Sequence, residues 1–157
     1  MNDNASVIKS MRMPFLVLSP ACVLLAGALA SYQGVEFSLS NWLITLIGAL
    51  TAHIAVNLIN EYQDFESGLD FKTEQTPFSG GSGLLPKNPH LAKKVWSAFV
   101  VSIIVLFLIG FYFLALYGWQ IVPLGLIGFL IIVTYTKWIN KSAFLCLLAP
   151  GIGFGSV

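Results

Sequence analysis

Charge is scarce in this chain. Of its 157 residues only 10% are Asp, Glu, Lys or Arg, whereas 57% are hydrophobic, and the mean hydropathy is +0.83. Soluble domains carry about 25% charged residues, so a soluble globular fold is excluded as the default. Disorder is excluded more firmly, because it requires low hydrophobicity and high net charge. The net charge is +1 and no basic stripe is present. That removes nucleic acid as a partner, since phosphate backbones are bound by clustered Lys and Arg. Cysteine is also sparse. Cys22 and Cys146 lie in apolar runs with no CxxC and no Cys/His cluster. They read as packing residues rather than metal ligands.

What the chain does have is long stretches without charge. Residues 13–35 and 37–60 carry none, and 95–136 carry none over 42 positions. A helix of that last length would run about 63 Å, twice a bilayer core of about 30 Å, so it must fold back. Tyr117-Gly118-Trp119 marks the turn, a glycine between two interfacial aromatics. The first apolar run exceeds the usual signal-peptide core of about 7–15 residues, so it is read as a retained span. A last apolar run, 143–157, is only 15 residues long. The expected fold is therefore all-α: a polytopic transmembrane helical bundle with four full spans, 14–32, 42–60, 96–117 and 119–136, and a partial fifth, 143–157.

With four spans, all eight basic residues fall on one side of the membrane: Lys9, Arg12, Lys72, Lys87, Lys93, Lys94, Lys137 and Lys141. The positive-inside rule makes that side cytoplasmic. The N-terminus and the 61–95 loop are expected there, along with every acid except Glu36.

The second span does not end in aliphatics. His53, Asn57, Asn60/Glu61 and Asp64 are spaced i, i+4, i+7/i+8 and i+11, which places them on one helix face. Polar groups inside a span are costly and normally face the bundle interior or a wet cavity. This face is expected to line a cavity that opens to the cytoplasm. Gly68 is expected to end the helix and let Asp70 turn back toward Asp64. Carboxylates flanked by amides make a hard-oxygen set that suits Mg²⁺, an ion that keeps waters and bridges to substrate phosphates. Asn57, Glu61, Asp64 and Asp70 are the candidate metal ligands. Glu66 and Glu74 read as solvated charges, and His53 is as well explained by a polar helix contact. The run Thr76-Pro77-Phe78-Ser79-Gly80-Gly81-Ser82-Gly83 follows directly. Its glycines open backbone N–H groups to close approach by phosphate. No GK[ST] is present, so it is not a Walker loop.

Asn60-Glu61-Tyr62-Gln63-Asp64, followed by Asp70, resembles the first acidic motif of the UbiA family of intramembrane prenyltransferases, which usually reads NDxxD with a further Asp. The Asp64-Phe65-x-x-Gly68-x-Asp70 form is similar to the branch that prenylates 1,4-dihydroxy-2-naphthoate in menaquinone synthesis. Tyr135-Thr136 and Gly151-Ile152-Gly153-Phe154-Gly155 also look like family features. The resemblance covers roughly residues 10–157.

It implies Mg²⁺-dependent transfer of a prenyl group from a prenyl diphosphate to an aromatic acceptor, a quinone precursor. Asp64 and Asp70 would hold the metal. Asn60, Lys72, Gly80, Gly81 and Tyr135 would face substrate, with the isoprenoid tail among the apolar helices in the lipid bilayer. A bacterial or archaeal plasma membrane is the expected location. The chain departs from the pattern in three places. Glu61 stands for Asp. Thr76 precedes Pro77 where many members have Arg, so Lys72 or Lys87 would have to replace a diphosphate-binding arginine. No acid follows Glu74, whereas the family has a second acidic motif. The chain thus corresponds to about the first half of a member, and alone it is expected to be inactive or to need a second chain or a C-terminal half. A different class, a non-catalytic membrane subunit or half-transporter with a polar cavity, would explain the short length and the polar face. It leaves Asp70, Lys72 and the glycine loop unexplained. The DGxxAR core of the CDP-alcohol phosphotransferases is absent.

Overall fold

The computed structural model describes residues 3–72 and 81–134, together with 144 and 148. Among these residues the regular structure is entirely helical. Helix α1 is Asp3–Ser10. A 3₁₀ turn, Met13–Val17, leads into α2, Leu18–Tyr32. Helix α3 is Leu39–Glu66, and a second 3₁₀ turn, Leu69–Phe71, follows it. Helices α4 (Leu84–Lys87), α5 (Ala92–Tyr117) and α6 (Val122–Thr134) complete the described chain. Among the described residues, three stretches are long and apolar enough to cross a membrane: Met13–Tyr32, Leu39–Glu66 and Pro89–Thr134. The chain is an integral membrane protein.

The expected spans 14–32, 42–60 and 96–117 overlap these elements, and 119–136 does so as far as Thr134, beyond which the described chain stops; the differences have local causes. Helix α3 runs six residues beyond the expected end at Asn60. Nothing between 61 and 66 breaks a helix, and the stop comes only where Gly68 adopts φ 74°. At its start, Ser38 caps α3 by accepting a hydrogen bond from the Asn41 N–H at 3.4 Å. The third stretch is 46 residues long and turns at Gly118, whose φ is 73° and ψ −166°. Phe107 in α5 and Phe129 in α6 then meet with ring centroids 5.5 Å apart. In one continuous helix they would lie about 33 Å apart, so α6 folds back along α5. The 143–157 run lies outside the described residues except at 144 and 148.

The core is concentrated at one end of the bundle. Ala55, Leu58 and Ile59 of α3 pack with Leu84 and Leu85 of α4, Leu91, Val95 and Phe99 at the head of α5, and Ile132 of α6. This is the end that carries Glu61, Asp64 and Asp70. Elsewhere large apolar side chains point outward, among them Leu25, Ile47, Leu108 and Phe111. In a bilayer that exposure is favourable, because lipid tails are as apolar as leucine. Hydroxyls along the spans turn back onto their own helix: Thr45 donates to the Asn41 carbonyl and Ser102 to the Ala98 carbonyl, both at 2.9 Å. At the far end, the Asn41 amide donates to the Tyr117 hydroxyl at 3.1 Å and accepts from the Tyr112 hydroxyl at 2.8 Å, pinning α3 to α5.

Helices α2 and α3 meet through a close approach. The Trp42 indole N–H donates to the Val23 carbonyl at 3.3 Å, and a Cβ on Gly27 would lie 2.8 Å from the indole nitrogen. At Gly48 the corresponding nearest atom, Ile109 Cγ2, is 3.5 Å away, an ordinary contact. Both positions are helical, so Ala adds about 0.5–1 kcal/mol of helix propensity at each. At Gly27 overpacking, about 1–3 kcal/mol, outweighs that gain. Thermal unfolding in detergent is expected to show a lower midpoint for Gly27→Ala and an unchanged or higher one for Gly48→Ala; the reverse order would refute this packing.

Candidate active site

The last turns of α3 carry Asn57, Asn60, Glu61 and Asp64 in helical register. The helix stops because Gly68 takes a left-handed conformation, φ 74°, that L side chains rarely adopt. The following 3₁₀ turn swings Asp70 back toward the helix end, and the Phe65 and Phe71 rings close the turn with centroids 5.8 Å apart. Glu61 is fully buried, and Asp64 and Asp70 are nearly so. Glu66, read as a solvated charge, is exposed.

These carboxylates are not equivalent. Glu61 has both oxygens engaged: Oε2 accepts the Ser82 backbone N–H at 2.9 Å and Oε1 accepts the Ser82 hydroxyl at 2.5 Å. Asp64 accepts a hydrogen bond from the Asn60 side chain. Asp70 has a buried Oδ2 that makes no hydrogen bond among the described residues. Its carboxyl is pushed up to about 6, first by burial, then by the charges of Glu61 and Asp64, with Arg12 opposing them.

The glycine run meets the cluster at two described positions, Ser82 against Glu61 and Gly81 against Asp70. Gly81 has φ 72°, and a Cβ there would lie 2.7 Å from Asp70 Oδ1. Only a residue without a side chain can bring its backbone this close to the carboxylate. Gly80 and Tyr135, both expected to face substrate, lie outside the described residues, as does Glu74. Lys72 directly follows the Asp70 turn and is exposed, as is Lys87.

The upper part of the polar face differs from the expected open cavity. His53 Nδ1 lies 2.9 Å from the Ser19 hydroxyl, and the Asn57 amide nitrogen donates to the Met11 carbonyl at 2.9 Å. Both side chains therefore tie α3 to the N-terminal segment. A backbone carbonyl freed at the turn between α1 and the first 3₁₀ segment needs a donor, and Asn57 supplies it. Its Oδ1 takes no part in that bond.

Arg12 is the residue that reading the sequence passed over, apart from its count toward the cytoplasmic side. It is the sole arginine of the chain. It adopts φ 53°, a left-handed conformation that is uncommon outside glycine. Its charge acts on the same cluster that holds Asp70, and its buried Nε makes no hydrogen bond among the described residues. A lone arginine next to Met13-Pro14 at the head of an apolar span was the available signal.

No group of three or more His, Cys, Asp or Glu side chains among the described residues is arranged to hold a metal ion. The donor chemistry nonetheless suits Mg²⁺. Asp64 and Asp70 are hard oxygen donors, Asp70 Oδ2 is buried without a partner among the described residues, and burial with the charges of Glu61 and Asp64 raises the proton affinity of Asp70. Mg²⁺ is commonly bound by one or two carboxylates, with waters and substrate phosphates filling its other positions.

Comparison with known proteins bears on what such a cluster does. The 1,4-dihydroxy-2-naphthoate octaprenyltransferase of Bacillus subtilis (strain 168) is 33% identical over 114 residues, covering 73% of this chain and 35% of that protein. The chain thus spans about a third of the length of the curated relative it matches. No solved structure matches significantly. The model of the UbiA prenyltransferase family matches residues 18–157, which takes in the whole acidic cluster and all but the first few residues of the apolar stretches, and the chain belongs to that family.

Proposed function

We propose that this chain contributes the diphosphate-binding side of an intramembrane prenyl-transfer site, moving a prenyl group from a prenyl diphosphate to an aromatic acceptor. The observation that carries this reading is the pair of buried aspartates, Asp64 and Asp70, with an Asp70 oxygen that has no partner among the described residues beside the Gly81 backbone. The acceptor we propose is a quinone precursor such as 1,4-dihydroxy-2-naphthoate, in keeping with the name of the Bacillus relative.

Asp64 and Asp70 would hold Mg²⁺, with Asn60 orienting the Asp64 carboxylate and Asn57 offering Oδ1. Bound Mg²⁺ would supply positive charge against the charge that builds on the departing diphosphate. Arg12 opposes the carboxylates with a guanidinium suited to diphosphate oxygens. Lys72, Gly80, Gly81 and Tyr135 complete the substrate-facing set. The apolar faces of the helices would sheathe the isoprenoid tail, and their aromatic rings would stabilise cationic character at the allylic carbon.

The topology that fits is four spans plus a partial fifth. The fold-back at Gly118 supports it, and the N-terminus and 61–95 loop are then cytoplasmic, on the side of the basic residues. A second acidic cluster, implied by the family pattern, would come from further sequence or from a second chain.

Binding of farnesyl diphosphate to the chain in lipid nanodiscs, titrated with and without Mg²⁺, tests the assignment. The expected result is Mg²⁺-dependent binding that Asp64→Asn weakens by about tenfold or more. Binding indifferent to Mg²⁺, or unchanged by Asp64→Asn, would remove the metal role.

The raised carboxyl of Asp70 makes a separate pH prediction. Its ordinary value is 3.8 and its folded value about 6, so between these the folded chain binds a proton that the unfolded chain does not. Metal-free stability from this group therefore rises as pH falls from about 6 toward 3.8, and is lost as pH rises through 6. Mg²⁺ requires the deprotonated form. Its affinity is expected to drop about tenfold between about pH 7 and pH 5, and Asp70→Asn should flatten that dependence. Calorimetric Mg²⁺ titration at the two pH values is the check.

A further inference from the structure

We propose that Glu61 is a positioning residue rather than a metal ligand: it latches Ser82 and so seats the Gly81 backbone against Asp70. The proposal rests on the reading of Asp64 and Asp70 as the Mg²⁺ pair.

The geometry is that of a two-point clamp. Glu61 sits in α3 and Ser82 lies 21 residues later. Both carboxylate oxygens are taken up, one by the Ser82 N–H and one by its hydroxyl. Charge-assisted bonds of this kind are roughly twice as strong as neutral ones. The Ser82 oxygen in turn accepts the Leu84 N–H at 3.2 Å. This N–H is the first of α4, one of the donors that a helix start leaves without an intrahelical partner. Leu84 and Leu85 are buried in the core against α3 and α5. The latch therefore joins the end of α3, the loop and the start of α4 into one unit.

Ser82 is flanked by Gly81 and Gly83, both left-handed at φ 72° and 64°. The pair turns the Ser82 N–H and hydroxyl toward the same carboxylate. It also brings the Gly81 backbone so near Asp70 that a Cβ would come within 2.7 Å of Oδ1. Asp70 is thus bounded on one side by a backbone that Glu61 holds in place. The Ser82 bonds take up one acceptor site on each Glu61 oxygen and hold the carboxylate toward the loop, whereas the Asp70 Oδ2 has no partner among the described residues and offers a cation more. The longer arm of Glu compared with Asp, at a position where the family pattern has Asp, suits a reach across to a loop.

The test separates a latch from a ligand, because Gln preserves one and abolishes the other. In Glu61→Gln, Oε1 can still accept the Ser82 N–H and Nε2 can donate to the Ser82 oxygen, but the carboxylate is gone. Two readouts are taken on the chain in nanodiscs: amide hydrogen exchange at Ser82 and Leu84, and Mg²⁺ affinity by calorimetry. The latch predicts that Glu61→Ala speeds Ser82 exchange and weakens Mg²⁺ about tenfold or more, while Glu61→Gln restores both to within about threefold of wild type. Ser82→Ala keeps the backbone half of the clamp and should give an intermediate loss. It covers the case in which Glu61→Ala does not fold. Mg²⁺ affinity lost in Glu61→Gln as fully as in Asp70→Asn, with Ser82 exchange unchanged, would make Glu61 a ligand and overturn the proposal. Unchanged Ser82 exchange in Glu61→Ala would also overturn it. If Asp70→Asn leaves Mg²⁺ binding untouched, the metal reading fails by itself, and Ser82 exchange in the Glu61 variants still decides the latch.

Discussion

Burying several carboxylates at the end of an apolar helix is the constraint around which this structure is organised. Each loses hydration, and each raises the energy of its neighbours' charged form. The fold meets that cost with a different device at each position. Glu61 receives the N–H and hydroxyl of Ser82, Asp64 receives Asn60, and Asp64 and Asp70 are opposed by the charge of Arg12. Asp70 is the member left with an unsatisfied oxygen among the described residues, and that is where a cation has most to offer. A carboxylate bonded at both oxygens and one with an oxygen unsatisfied among the described residues thus stand side by side in one cluster.

The distribution of the core follows from the same constraint. A polar cluster must be held rigidly if its members are to stay paired, and the tight packing of α3, α4, α5 and α6 lies at that end. Away from it the helices show apolar side chains outward, where a bilayer demands only apolarity and not shape complementarity. The Asn41–Tyr112–Tyr117 group at the opposite end fixes the register of α3 against α5 where packing is sparser. One end of the bundle is thus built for precision and the spans for solubility in lipid.

Family membership and the cluster geometry reinforce one another, but they bear on different questions. The family match concerns the helical scaffold and the kind of chemistry the scaffold hosts. The arrangement of Glu61, Ser82, Gly81 and Asp70 concerns how this particular chain realises its departure from the family motif. A longer acidic side chain at position 61 is not a neutral exchange when both its oxygens reach Ser82 in a loop.

Much was legible in the sequence because its causes are local. Charge-free windows define helices that only lipid can accommodate, and periodicity puts Asn57, Asn60, Glu61 and Asp64 on one face. Gly68 and Gly118 end helices because their backbones adopt left-handed φ at 74° and 73°, and the return of Asp70 follows from the first of these. What the sequence could not reveal depends on which distant segments meet. Ser82 as the partner of Glu61, Met11 as the partner of Asn57, and Arg12 beside the acids all join residues far apart in the chain. No periodicity encodes such pairings, because they arise only when the α1–α2 segment and the glycine loop close over the end of α3. The residue types and their face were set locally by helix geometry. The division of roles among chemically similar carboxylates was decided by tertiary contact, since a carboxylate's function depends on which donors reach it.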